Sequence, residues 1–135
     1  MNTKPILSAT DVQQILDAAK DEALKNNWAV AIAAVDDGGH LLGLIRLDGA
    51  APLTSYIATE KARTSALGRR ETKFYEEMIN GGRTSFLSVP IQGALEGGVP
   101  VIVDGQVVGA VGVSGVKSDQ DAQVAKAGIA ALDQN

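Results

Sequence analysis

The sequence predicts an α+β protein in which one antiparallel sheet of about five strands is flanked by helices. Two hairpins are the first indication, because apolar runs stand on either side of the turn residues at 36–39 (DDGG) and 104–105 (DG), and Asp and Gly favour hairpin turns. The second indication is that segments with helical periodicity precede, separate and follow these hairpins. Hairpins alternating with such segments are typical of a sheet with helices packed on it.

The first half of the chain contains a predicted helix and a predicted hairpin. The helix is expected over residues 8–26, since Ser8 and Asp11 have the spacing of a capping box. Its apolar positions recur at helical spacing on one face: Val12, Ile15, Leu16, Ala19 and Ala23. The unbroken apolar run 29–35 predicts a buried strand, and residues 41–46 are expected to form its hairpin partner.

The next segment is predicted to contain two helices and an irregular stretch. A helix is expected over residues 54–67, where Ala58, Ala62 and Ala66 form a stripe of small side chains that allows close packing. A short helix is expected over 71–79, because Asn80 and two glycines follow it. Residues 83–100 are rich in Gly and Pro, and a short strand is predicted near 89–92.

The last third is predicted to form the second hairpin, from strands at 101–103 and 106–114, and a closing helix at 118–132. One face of the last strand is expected to carry bulky residues and the other small ones. The small face is predicted from Val108, Ala110, Gly112 and Ser114. Such a face invites close approach of a helix, a neighbouring subunit or a flat ligand.

Composition excludes several classes of function. The 135 residues suit one domain spanning residues 1–135, and the net charge of −4 argues against nucleic acid and against an anionic membrane surface. No apolar run is long enough to span a bilayer, and the first residues lack the apolar run of a secretion signal. We therefore expect a cytoplasmic protein. The absence of cysteine excludes thiolate nucleophiles and cysteine-based metal sites.

No catalytic motif is found, so a binding protein is favoured over an enzyme and no catalytic residue is assigned. His40 is the only histidine, which excludes the two-histidine helix of zinc proteases, and no Gly-x-Ser-x-Gly turn supplies a serine for a triad. Basic residues cluster on or after the second predicted helix: Lys61, Arg63, Arg69 and Arg70. They suit either a solvated, salt-bridged face or a site for a carboxylate or phosphate.

Three stretches together resemble the GlcG/HbpS family, whose domain also ends the PduO-type corrinoid adenosyltransferases. They are VAIAAVDDGGHLLGLIRLDGA, SYIATEKARTSA and GGVPVIVDGQVVGAVGVSGVKSDQDAQVAKAG, and the resemblance runs from about residue 6 to residue 132. It implies a profilin-like or PAS-like sandwich, assembly into homo-oligomers from dimers to octamers, and haem as the ligand of several members.

The same resemblance implies candidate binding residues. His40 matches the histidine that follows paired glycines in some haem-binding members, and imidazole is a good axial ligand for haem iron. Arg46, followed by Asp48 and Gly49, matches the end of the next strand. Lys61 and Thr64 match a Lys-Ala-x-Thr segment of the second helix, and Lys61 and Arg63 are candidates to face the haem propionates.

Two functions remain open at this level, beside the plainer option of a structural oligomer whose pocket is vestigial. The first is a homo-oligomer that binds haem or a related tetrapyrrole, with His40 as iron ligand and the small strand face as a second wall. The second is an accessory protein or enzyme of glycolate or other small hydroxy-acid metabolism, with a carboxylate bound by Arg46 or Lys61. Considered without the resemblance, His40 is also typical of a histidine that is exposed at a turn and binds no ligand. Oligomers are expected because the alanine stripe and the Val/Gly strands offer more flat apolar surface than one domain buries.

Overall fold

A four-stranded antiparallel sheet with helices on both faces forms the protein. The computed structural model describes residues 1–134, and side chains as far as Leu132. The strands are β1 (Ala31–Asp36), β2 (Leu41–Arg46), β3 (Gly98–Val103) and β4 (Gln106–Ser114), in the order β2-β1-β4-β3. The helices are α1 (Ala9–Lys25), α2 (Leu53–Gly68), α3 (Lys73–Asn80) and α4 (Ser118–Ala130), with 3₁₀ turns at Thr84–Ser88 and Ala131–Gln134. None of these helices is long and apolar enough to cross a membrane.

The predicted α+β class and both hairpins are confirmed, and the cap of α1 forms as expected. Ser8 Oγ accepts a hydrogen bond from Asp11 N at 3.1 Å, and Asp11 Oδ2 accepts one from Ser8 N at 2.8 Å. This reciprocal pair satisfies two backbone donors at the start of the helix.

The fifth strand predicted near residues 89–92 is wrong, since the sheet has four strands within the described residues. Pro90 has no backbone N–H to donate to a ladder. The N–H of Gly93 donates instead to Thr64 Oγ1 at 3.0 Å. A side chain at Gly93 would lie 2.2 Å from Glu60 O, so this segment runs directly against α2.

The face of β4 that carries Ala110 and Gly112 packs against α2. A Cβ at Gly112 would lie 2.1 Å from Ala58 O and 3.0 Å from Ala62 Cβ, so only glycine permits this approach. The predicted close contact is therefore made by a helix of the same chain. The small face is not available as a wall for a ligand.

Two findings correct the predicted surfaces. The alanine stripe is fully buried under the sheet: Ala58, Ala62 and Ala66. It therefore cannot provide the oligomer interface that was predicted from it. Val108 does not share the small face, because a bulge interrupts the β3–β4 register beside it. It joins the core on the opposite side of the sheet, between the strands and helices α1 and α4.

Candidate functional site

His40 is fixed at the turn between β1 and β2 by one carboxylate. Asp36 Oδ1 accepts hydrogen bonds from the backbone N–H groups of Gly38 at 2.9 Å and His40 at 3.0 Å, and it lies 3.2 Å from His40 Nδ1. Burial raises the pKa of Asp36, but these hydrogen bonds outweigh it and leave the pKa below its usual value.

The imidazole of His40 is directed to the solvent, with 82% of its side chain exposed. A Cβ at Gly38 would lie 3.1 Å from the ring, so glycine there leaves the space that the ring occupies. Among the described residues no group bonds to Nε2. The turn therefore presents a free imidazole nitrogen whose partner nitrogen is held by a carboxylate.

An open groove lies between β2 and α2. Leu41, Leu44 and Arg46 pair with strand residues whose side chains face α2, so they point towards that helix. The groove has a volume of about 610 Å³, within the usual range of small-molecule sites. Its lining is completed by residues of α2 and the segment after it: Pro52, Ser55, Tyr56, Thr59, Glu60 and Gln92.

The groove is apolar along β2 and polar towards the middle of α2. Leu41, Leu44 and Tyr56 are 50%, 41% and 73% exposed, and because they line one groove they form an exposed apolar patch, which is more informative than single exposed side chains. Glu60 Oε2 is shielded from solvent and has no hydrogen-bond partner among the described residues. Arg63 Nη1 lies 3.7 Å from it.

Arg63 connects the groove to the hairpin turn. Gly39 has a φ of +82° and a Cβ there would lie 2.9 Å from Arg63 Cγ, so the turn rests on this side chain. The guanidinium remains half exposed. Arg63 therefore packs against the turn that precedes His40, and its role as a cation for a ligand stays a prediction.

The structure does not bring Lys61 and Thr64 to the groove. Lys61 Nζ donates to Asp121 Oδ2 at 3.0 Å and to Val113 O at 2.9 Å, and both charged side chains are 4% exposed. Burial raises the pKa of the Asp121 carboxyl, and the adjoining Lys61 ammonium opposes that rise. Thr64 is 1% exposed and its hydroxyl accepts from Gly93.

These two residues therefore hold α2 in place and are not positioned to touch a ligand at the surface. Lys61 follows Ala58 by three positions, so the two share one helix face. That spacing was the signal for its burial. The expected roles of Lys61 and Thr64 in haem binding stay predictions, and their burial gives them no support.

Arg46 lies at the far end of β2 from His40, roughly 20 Å away at the usual rise per strand residue. A single ligand that contacts both side chains must therefore lie along the strand. Sequence reasoning missed the groove residues between them, Leu41, Leu44 and Tyr56. Leucines on both faces of a six-residue strand were the available signal, since one face of an edge strand is normally polar.

Comparison with known proteins identifies close relatives. The family model described as haem degrading protein HbpS-like matches residues 7–130. Protein GlcG of Escherichia coli K12 is 62% identical over 114 residues, which cover 84% of this chain and 85% of that protein.

Two crystal structures share the fold over almost the whole chain. A double mutant of Streptomyces reticuli HbpS has a TM-score of 0.89 and 31% identity, covering 98% of this chain and 90% of that one. A complex of PduOC with haem has a TM-score of 0.84 and 28% identity, covering 94% and 95%.

Proposed function

Because the chain belongs to the HbpS-like family, we propose that it is a small homo-oligomeric ligand-binding protein whose ligand is haem or a related tetrapyrrole. The observation that carries the proposal is the exposed imidazole of His40, held through Nδ1 by Asp36 and directly preceding Leu41, the first residue of β2 that lines the apolar groove. The haem complex of the PduOC neighbour supports it.

The residues at this surface fit a haem group. A carboxylate on one imidazole nitrogen orients the other for a metal ion, and haem iron accepts an axial imidazole. Leu41, Leu44 and Tyr56 offer exposed apolar surface to a flat macrocycle. Arg63, whose side chain supports the turn before His40, is the cation proposed to face a propionate, whereas Arg46 lies at the far end of β2.

No catalytic residue is assigned. Across the part of the chain with described side chains, no group of three or more acidic or histidine side chains is arranged to hold a metal ion. His40 is accordingly proposed as a ligand of iron already held within a macrocycle.

A hemin titration followed by absorbance tests this function. Wild-type protein is expected to bind one hemin per chain saturably and to give a defined Soret band. His40→Ala removes the axial ligand, so the Soret band should shift and affinity should fall about tenfold or more. Lys73→Ala is the control, because Lys73 lies on α3, outside the groove, and it should titrate like the wild type.

The possible outcomes distinguish the role of His40 as iron ligand from haem binding by the protein as a whole. Saturable binding with the same spectrum in His40→Ala removes His40 from the site and keeps a haem-binding protein. If Leu44→Asn then lowers the affinity, the groove remains the binding surface. Weak, unsaturable binding in every variant contradicts haem as the ligand.

The alternative of a small carboxylate bound by Lys61 is not retained, because the Lys61 ammonium is already paired with Asp121 in the interior. Arg46 has no carboxylate within ion-pair distance among the described residues. It is the cation that stays available for such a ligand.

A further inference from the structure

A second cleft opens on the other side of Arg46, where the last turns of α1 meet the end of β2. Its volume is about 470 Å³. Its walls combine apolar and charged side chains, chiefly Leu24, Trp28, Ile45, Lys20, Arg46 and Asp48. Because β2 is an edge strand, the long side chain of Arg46 borders this cleft as well as the groove beside α2.

The apolar wall is built by the end of α1. Asn27 has a φ of +58°, a left-handed conformation that turns the chain back on the helix. The backbone N–H of Trp28 then donates to Ala23 O at 2.9 Å. The half-buried indole packs against the core and lines the cleft with Leu24 and Ile45.

The charged wall carries two cations, Lys20 and Arg46, for which the described part of the chain provides no ion-pair partner. Neither Lys20 nor Arg46 has a carboxylate within 4 Å among the described residues, although Asp48 lines the same cleft. By contrast, Lys25 on the same helix is paired with Glu22. The formal charges of Lys20, Arg46 and Asp48 sum to one net positive charge in the cleft.

We infer that this cleft binds a small organic monoanion, a carboxylate attached to an apolar or aromatic body. The carboxylate meets Arg46, whose planar guanidinium suits bidentate pairing, and Lys20. The body of the ligand lies against Trp28 and Leu24. Asp48 disfavours a doubly charged anion. This inference goes beyond haem binding, since the cleft and the groove have only Arg46 in common.

Benzoate is the probe, and the indole N–H of Trp28 is the readout. The chain has one tryptophan, so a ¹⁵N-labelled sample gives a single indole cross-peak that reports on this cleft. Benzoate at millimolar concentration should shift that peak saturably. Benzamide, which has the same shape without the charge, should bind about tenfold more weakly, and inorganic phosphate should not compete.

Two substitutions assign the cations. Lys20→Gln and Arg46→Gln should each weaken benzoate binding about tenfold, while Lys25→Gln and Arg83→Gln, which lie outside the cleft, should not. Lys20→Gln should leave the hemin titration unchanged, so failure of one proposal does not imply failure of the other.

Three results would overturn the inference. The first is an indole peak that does not move with benzoate. The second is equal binding of benzamide and benzoate, which would make the cleft a purely apolar surface. The third is unchanged affinity in both the Lys20 and Arg46 variants.

Discussion

Asp36 organises the β1–β2 turn through a single oxygen atom, which accepts from two backbone N–H groups and lies beside the His40 ring. Asp36→Ala leaves those donors without their acceptor in a partly buried turn. We expect the free energy of unfolding to fall by about 1–2 kcal/mol, measured by urea denaturation. Asp37→Ala is the control, because Asp37 is paired with the exposed Lys4. This substitution should lower the free energy of unfolding by less than Asp36→Ala does.

The same substitution predicts a pH dependence. The pKa of Asp36 is lowered in the folded protein, so the stability that it contributes is present above the usual carboxyl pKa of about 4 and is lost as the pH falls through the lowered value. The stability difference between wild type and Asp36→Ala should therefore be constant near neutral pH and shrink on acidification. A difference that grows on acidification would contradict this assignment.

At the level of single residues, local patterns predicted the apolar face of α1 and an exposed turn at His40, but not the burial of Lys61. His40 follows two glycines in a turn, and its exposure follows from that local pattern. The burial of Lys61 depends on its ion pair with Asp121, which lies on α4, 60 residues further along the chain. Local propensity carries little information about such a partner.

The helices α2 and α4 are joined by the buried Lys61–Asp121 pair. Removing one partner leaves the other charge buried, so Lys61→Met and Asp121→Asn should each lower the free energy of unfolding by about 3–5 kcal/mol. The double variant should lose less than the sum. Denaturation followed by circular dichroism measures all three.

The exposed pair Lys126–Glu71, at 3.3 Å, is the matched control for this cycle, since it also joins α4 to the segment after α2. Its removal should cost under about 1 kcal/mol. If Lys61→Met lowers the free energy of unfolding by no more than Lys126→Met does, the buried pair does not hold the two helices together.

At the level of elements, the four α-helices and both hairpins followed from periodicity, caps and turn residues. The predicted strand near residues 89–92 failed although Val89 and Ile91 suit a strand, because Pro90 has no N–H for a ladder and Gly93 packs against α2. Alternating apolar residues do not show which neighbour will take the backbone hydrogen bonds. Tertiary contacts with α2 therefore determine the conformation of this segment.

For the whole molecule, the proposed assembly requires a surface other than the alanine stripe, which is buried. The most exposed large apolar residues outside the N-terminal segment lie at the start of α2 and in the first 3₁₀ turn: Leu53, Tyr56 and Leu87. We expect light scattering after size exclusion to show an oligomer at micromolar concentration. Leu53→Lys together with Leu87→Lys should reduce its mass, because each places a charge on that surface.

Ile102→Lys is the control for this experiment. Ile102 is also exposed, at 56%, but it lies on β3 at the opposite edge of the sheet. A monomeric wild-type protein would contradict the proposed assembly. An oligomer that only Ile102→Lys dissociates would move the interface to β3.

The strand order also constrains how the chain folds during synthesis. β1 pairs with its neighbour β2, but its other side pairs with β4, so that Ala31 lies opposite Ser114. As a nascent chain emerges, we expect the local first hairpin to form early, while the edge of β1 that later pairs with β4 keeps its N–H and C=O groups unpaired. That edge stays open to other chains until the last strand leaves the ribosome. Completion of the sheet is therefore a late and non-local step, which slows folding.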